Sequence, residues 1–105
     1  GRISQEQMCS LLCENPAKLY GVYPRKGVIA PGSDADIVIF DPEKESRISA
    51  KTHACNTDNN PFEGFALPGD LDSVFLRGTL CVSGGRLIRE KQGTYIHRDK
   101  NSFQF

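Results

Sequence analysis

The longest uninterrupted run of aliphatic and aromatic side chains in this sequence of 105 residues is Ile37-Val-Ile-Phe40. A membrane helix needs about 20 such residues in succession, so no segment qualifies as one, and the core has to be assembled from short pieces. The length admits one domain of roughly 100 to 150 residues, which excludes a large enzyme with a separate cofactor domain. Thirteen Lys and Arg face thirteen Asp and Glu, giving no net charge. Without a basic field, a nucleic-acid reader or a binder of acidic membrane surfaces is disfavoured. Leu, Ile, Val and Phe make up about a quarter of the chain, above the roughly 20% at which chains tend to disorder. Mean hydropathy is -0.41 and Trp is absent. Because a domain of this size buries only about 60 to 68% of its unfolded surface, the expected core is thin, with some apolar surface needing a partner.

In residues 4–14, Met8, Cys9, Leu11, Leu12 and Cys13 fall at three- and four-residue spacings, the period of an amphipathic helix. Ser4 with Gln7 offers a capping box for its first turn. Asn15-Pro16 is expected to interrupt it and to start a second short helix over residues 16–20, with Asn15 as cap and Gly21 as terminator. Residues 21–33 read as a connector with one short strand at 28–30. Residues 36–41 read as a strand buried on both faces and closed by Pro42, and residues 47–49 as a weaker strand. Residues 51–72 form a polar stretch too long for an ordinary loop, expected to lie against something. Strands at 73–77, 80–82 and 86–88 follow, with Gly84-Gly85 suited to a tight hairpin turn. The tail, residues 89–105, has Tyr95, Ile96, Phe103 and Phe105 as isolated apolar points and is either loose or docked on a neighbour. Helices first and sheet afterwards give an α+β class, and an incomplete one.

Catalysis requires convergent titratable groups, yet the only histidines, His53 and His97, lie far apart in polar segments. His53 and Cys55 with Cys9 and Cys13 would supply four zinc donors, but in no usual ligand spacing. The plainer reading makes Cys9 and Cys13 small, semi-buried members of the helix face. Asp34 and Asp36 do not fit a calcium loop. They read as turn residues that take backbone amides and launch the strand at Ile37. Gly84-Gly85 lacks the helix and lysine of a phosphate loop, and Arg25-Lys26 reads as a solvated basic pair. Four cysteines without a secretory signal are expected to be free thiols in a reducing cytoplasm. The opening Gly1-Arg2, with no initiator Met, gives the expectation of a chain entered midway.

Five segments occur in order: Asn15-Pro-Ala-Lys-Leu-Tyr-Gly21, Tyr23-Pro-Arg-Lys-Gly27, Pro31-Gly-Ser-Asp-Ala-Asp-Ile-Val-Ile-Phe-Asp-Pro42, Ile48-Ser-Ala-Lys-Thr-His53 and Asn60-Pro-Phe-Glu-Gly64. The series resembles the C-terminal end of the dihydropyrimidinase and hydantoinase branch of the cyclic amidohydrolases. The Gly-Ser-Asp-Ala-Asp strand marks the wider superfamily, and the Tyr-Pro-Arg-Lys-Gly and Ser-Ala-Lys-Thr-His segments point to the branch. The sequence departs from the branch around Cys13 and Glu14 and again from Gln92 onward.

The resemblance implies a parent enzyme in which a metal-bearing TIM barrel joins a β-sandwich built from both chain ends. Residues 1–21 would be the terminal barrel helices, 22–35 a connector, 36–90 the C-terminal portion of the sandwich, and 91–105 an extension packing on another subunit. Such a parent opens cyclic amide rings with two zinc ions held by a His-x-His pair, a carboxylated lysine, two further histidines and an aspartate. No residue here matches those ligands, and Lys18, Lys26 and Lys51 do not match the bridging lysine. The chain is therefore expected to contribute no catalytic, cofactor-binding or metal residue. Its expected partners are the remainder of the parent chain and further copies in a cytoplasmic homo-oligomer. The competing readings are a non-enzymatic relative such as the collapsin-response mediator proteins, and a small independent β binding module. Asn60-Pro-Phe-Glu-Gly64 resembles the bacterial enzymes more than those scaffolds.

Overall fold

The computed structural model describes residues 1–101; Phe103 and Phe105 lie outside the described residues. Helix α1 spans Gln5–Cys9, a π-helical turn Ser10–Glu14, and α2 Asn15–Leu19. The capping box forms as expected: Ser4 Oγ accepts the Gln7 amide at 3.2 Å, and Gln7 Oε1 accepts the Ser4 amide at 2.8 Å. Glu6 sits among the same unpaired first-turn amides. Its carboxyl is held below the usual carboxylate range, first by its own backbone amide and then by the Ser4 hydroxyl. Ser4→Ala should cost about 1 kcal/mol of helix stability, read as a lowered denaturation midpoint and faster amide exchange over the first turn.

The expected break at Asn15-Pro16 does not occur. Asn15 is helical (φ -62°, ψ -45°), not a cap, and its amide donates to the Ser10 carbonyl five residues back. Pro16 has no N–H and its ring would strike the Leu12 carbonyl in a regular α-turn. Widening the preceding turn to the i→i+5 pattern accommodates the ring without ending the helix. Gly21 does terminate it, at φ +72°. Lys18 pairs with Glu14 at 2.5 Å one turn back and lies 4.8 Å from the centroid of the Tyr23 ring.

Four strands form one antiparallel sheet in the order β1-β2-β3-β4. They are β1 (Ile37–Arg47), β2 (Ala66–Leu76), β3 (Thr79–Ser83) and β4 (Arg86–Leu87). Pro42 does not close β1. Asp41 faces Asp70 and Glu45 faces Pro68, so the strand bulges between them and resumes pairing to Arg47. The bulge, in which Asp41 Oδ1 accepts the Glu43 amide at 2.9 Å, leaves proline's missing donor without consequence on an edge strand. The separate strand expected at 47–49 is the end of this longer one. The last third of the long polar stretch belongs to β2, which begins at Ala66 and carries Pro68 and Gly69 through the same irregularity. The β2–β3 hairpin turns on Arg77 (φ 47°) and Gly78 (φ 80°), and the β3–β4 hairpin on Gly84 and Gly85, both at positive φ as a two-residue turn demands. No strand forms at residues 28–30, and Ile29 is 82% exposed.

Packing is sparse. Among the described residues only Ala17 and Cys81 are buried apolar side chains. Val38, Ile39 and Phe40 of β1 are exposed, so this strand is not covered on both faces as its composition implied. Cys9 and Cys13 are likewise exposed, because the helix face they occupy has nothing laid upon it. Among the described residues no helix is long and apolar enough to cross a membrane.

Candidate functional site

The densest polar chemistry lies in the connector. Its two ends are drawn together by backbone and side chain alike: Asp34 N–H donates to the Arg25 carbonyl at 2.9 Å and Ser33 Oγ to the Pro24 carbonyl at 2.7 Å. This places Arg25 Nε 3.0 Å and Lys26 Nζ 2.9 Å from Asp34 Oδ2, and Lys26 also pairs with Asp36 Oδ2. Asp36 Oδ1 accepts the Arg77 amide at 2.9 Å. Of the Arg25-Lys26 pair only Arg25 is solvated, its side chain 53% exposed, whereas that of Lys26 is only 18% exposed. The Lys26 and then the Arg25 hydrogen bonds hold the Asp34 carboxyl below its ordinary range. For Asp36 burial pushes upward, but the Lys26 ammonium and the Arg77 amide outweigh it and the net direction is down. Burial also works against the Lys26 charge, and the two carboxylates overcome it and keep this ammonium above its ordinary value. Every charge is matched, so the cluster has neither a free base nor an open coordination position. Asp36 takes a backbone amide at the start of β1 as its spacing implied. The side chain of Asp34 takes cations instead.

A second polar centre folds residues 48–65. Glu63 accepts the Ala50 amide and the Ser49 hydroxyl, both at 2.7 Å. Those two bonds, the amide foremost, hold its carboxyl low. Gly64 N–H donates to the Ile48 carbonyl at 2.7 Å and Ile48 N–H to that of Phe65 at 3.0 Å. Phe62 and Phe65 meet edge to face with centroids 5.8 Å apart. Neither Glu63 nor the Lys26 pairings were singled out from sequence. Two charge pairs of opposite sign, Arg25-Lys26 and Asp34/Asp36, flanking Pro31-Gly32 were the available signal for the latter.

The groove beside the sheet is apolar. Ile37, Val38, Val74, Phe75, Cys81 and Leu87 lie along it, with Arg89 to Gln92 at the rim, enclosing about 510 Å³. His53 lies elsewhere, its Nδ1 accepting the Cys55 amide at 3.1 Å, and His97 stacks edge-on to Tyr95 at 4.9 Å. Among the described residues, no three of His, Cys, Asp or Glu gather as metal ligands. A centre of the kind the resemblance implies would take four histidines, and the sequence holds two in all, so the residues present do not fit it. Lys51 is exposed and Lys18 is engaged with Glu14.

The helical segment, the acid-launched strand and the meander together match an established group. The model of the amidohydrolase family matches residues 1–81, and the chain belongs to that family. Within it the similarity falls in the hydantoinase and dihydropyrimidinase branch. The chain is 44% identical over 101 residues to a D-hydantoinase of Geobacillus stearothermophilus, covering 95% of this chain and 21% of that protein. It is 40% identical over 99 residues to a D-hydantoinase of Streptomyces coelicolor, covering 93% and 21%. The solved D-hydantoinase (dihydropyrimidinase) from a Thermus species superimposes with a TM-score of 0.91 at 40% identity, over 98% of this chain and 23% of that one. The chain therefore spans about a fifth of the length of the curated relatives it matches.

Proposed function

We propose that these residues are the C-terminal part of a cyclic amidohydrolase that opens hydantoin or dihydropyrimidine rings, and that their own role in it is structural. In this reading α1, the π turn and α2 are the last barrel helices, residues 22–35 the connector, residues 36–90 the share of a β-sandwich, and residues 91–105 an extension. Two zinc ions and a carboxylated lysine would be held by residues outside this stretch. The parent would work as a cytoplasmic homo-oligomer. The observation that carries the proposal is the pairing of a 44% match along nearly the whole chain with only a fifth of a D-hydantoinase. The bare sheet faces and helix face support it, since such surfaces in a fold of this class are covered by other chain.

The test uses the full-length protein and residues 1–105 alone, each with added zinc, assayed for ring opening of hydantoin and of dihydrouracil. Turnover by the full-length protein that a chelator abolishes, with none by the short chain, is the expected result. Turnover by the short chain overturns the structural role. A folded full-length protein that opens neither ring overturns the hydrolase and leaves the scaffold relative in its place.

A further inference from the structure

We propose that Lys26 is the pin of a charge latch that fixes the helical segment to the β2–β3 hairpin, with both ties between the two converging on Arg77. The inference goes beyond the hydrolase reading and holds whatever ring the whole protein opens.

Among the described residues, no Cα of α1, the π turn or α2 lies within 8 Å of a Cα in any strand. Their relative placement therefore depends on the segments between and behind them. The connector is bound firmly to the helix: Val22 and Tyr23 donate to the Ala17 carbonyl at 2.9 and 3.1 Å, and Gly27 sits so close to Cys13 and Ala17 that a Cβ would overlap them. Lys26, next to Gly27, then reaches Asp34 at 2.9 Å and Asp36. Asp36 passes the connection to the sheet by accepting the Arg77 amide, while Gly78 N–H donates to the Ala35 carbonyl at 2.9 Å. The second tie runs through the tail. The Arg77 guanidinium donates to the Gln92 carbonyl, and Asp99 N–H donates to the Gly21 carbonyl at 2.7 Å. The turn residue Arg77 thus receives one tie on its main chain and holds the other with its side chain. A half-buried ammonium shared by two carboxylates is desolvated enough to act as a specific joint, where an exposed pair would contribute little.

The experiment is residue-resolved amide exchange on the full-length protein carrying Lys26→Met, Lys26→Arg, Asp36→Asn, and the Met and Asn changes combined. Lys26→Met should speed exchange at Asp34, Arg77 and Gly78 by about tenfold while leaving the β3–β4 pairing unchanged, and Lys26→Arg should retain most of the protection. Asp36→Asn keeps an acceptor for Arg77 and loses the charge, so it should open the same amides. The combined variant should exceed the larger single effect by no more than about twofold, as members of one linkage do. Exchange at Arg77 and Gly78 within about twofold of the parent protein in Asp36→Asn, or single effects that multiply in the combined variant, would overturn the latch. Should Lys26→Met not fold, Asp36→Asn decides alone. Ring opening measured on the same proteins reports separately on the hydrolase reading, so either can fail while the other stands.

Discussion

Gly27→Ala in the full-length protein is expected to cost about 2 to 5 kcal/mol, the sum of left-handed strain and overpacking. Gly27 has φ +88°, and a Cβ there would meet Ala17 Cβ at 2.5 Å and the Cys13 carbonyl oxygen at 2.8 Å. One neighbour is main chain and the other is one of the two buried apolar residues, so neither can swing away as a flexible side chain would. Gly32 is the matched control. Its φ is +89° but nothing lies within 4 Å, so Gly32→Ala should cost only the conformational strain, about 1 to 2 kcal/mol. Denaturant unfolding of both variants checks the difference. Equal losses would show that the approach of connector to helix is not what Gly27 provides.

Residues 1–105 prepared alone are expected to self-associate. Leu11, Leu12, Val38, Phe40, Phe65 and Leu87 are each more than half exposed, from 53% at Phe40 to 70% at Leu12. β1 and β4 both end the sheet with unpaired main-chain groups, and open edges next to apolar faces recruit further strands. Size-exclusion chromatography with light scattering should show oligomers or precipitate across the accessible concentrations. A stable compact monomer would mean that the sheet is sufficient without additional chain, against the reading offered for it.

Much of the local structure was legible because it depends on nearest neighbours. The Ser4–Gln7 box, the helix stop at Gly21 and the turn at Gly84-Gly85 each follow from a few adjacent residues, and each forms. Pro16 and Pro42 were misjudged for one reason. Proline forbids a regular ladder, but a π turn and a bulge are irregular alternatives whose use is decided by what the chain gains beyond the proline: α2 in one case and the pairing of Glu45 to Arg47 in the other. Burial was misjudged because composition reports what a strand is suited to, and covering β1 takes a surface that residues 1–101 do not provide. The Lys26 cluster was hidden for a third reason: its members are neighbours only after the connector has turned back at Pro31-Gly32.

The π turn has a consequence for how this segment tolerates insertion and deletion. Five residues wound in the i→i+5 pattern sweep about the same angle around the axis as four residues of ordinary α-helix. Loss of one residue from Ser10–Glu14 would therefore let the turn rewind to α geometry with Ala17 still directed at Gly27. The cost would fall on Pro16, whose ring would then meet the carbonyl four residues before it. Deletion of a residue from the regular turn Gln5–Cys9 has no such slack and would swing the Ser4 cap by about 100° relative to Ala17.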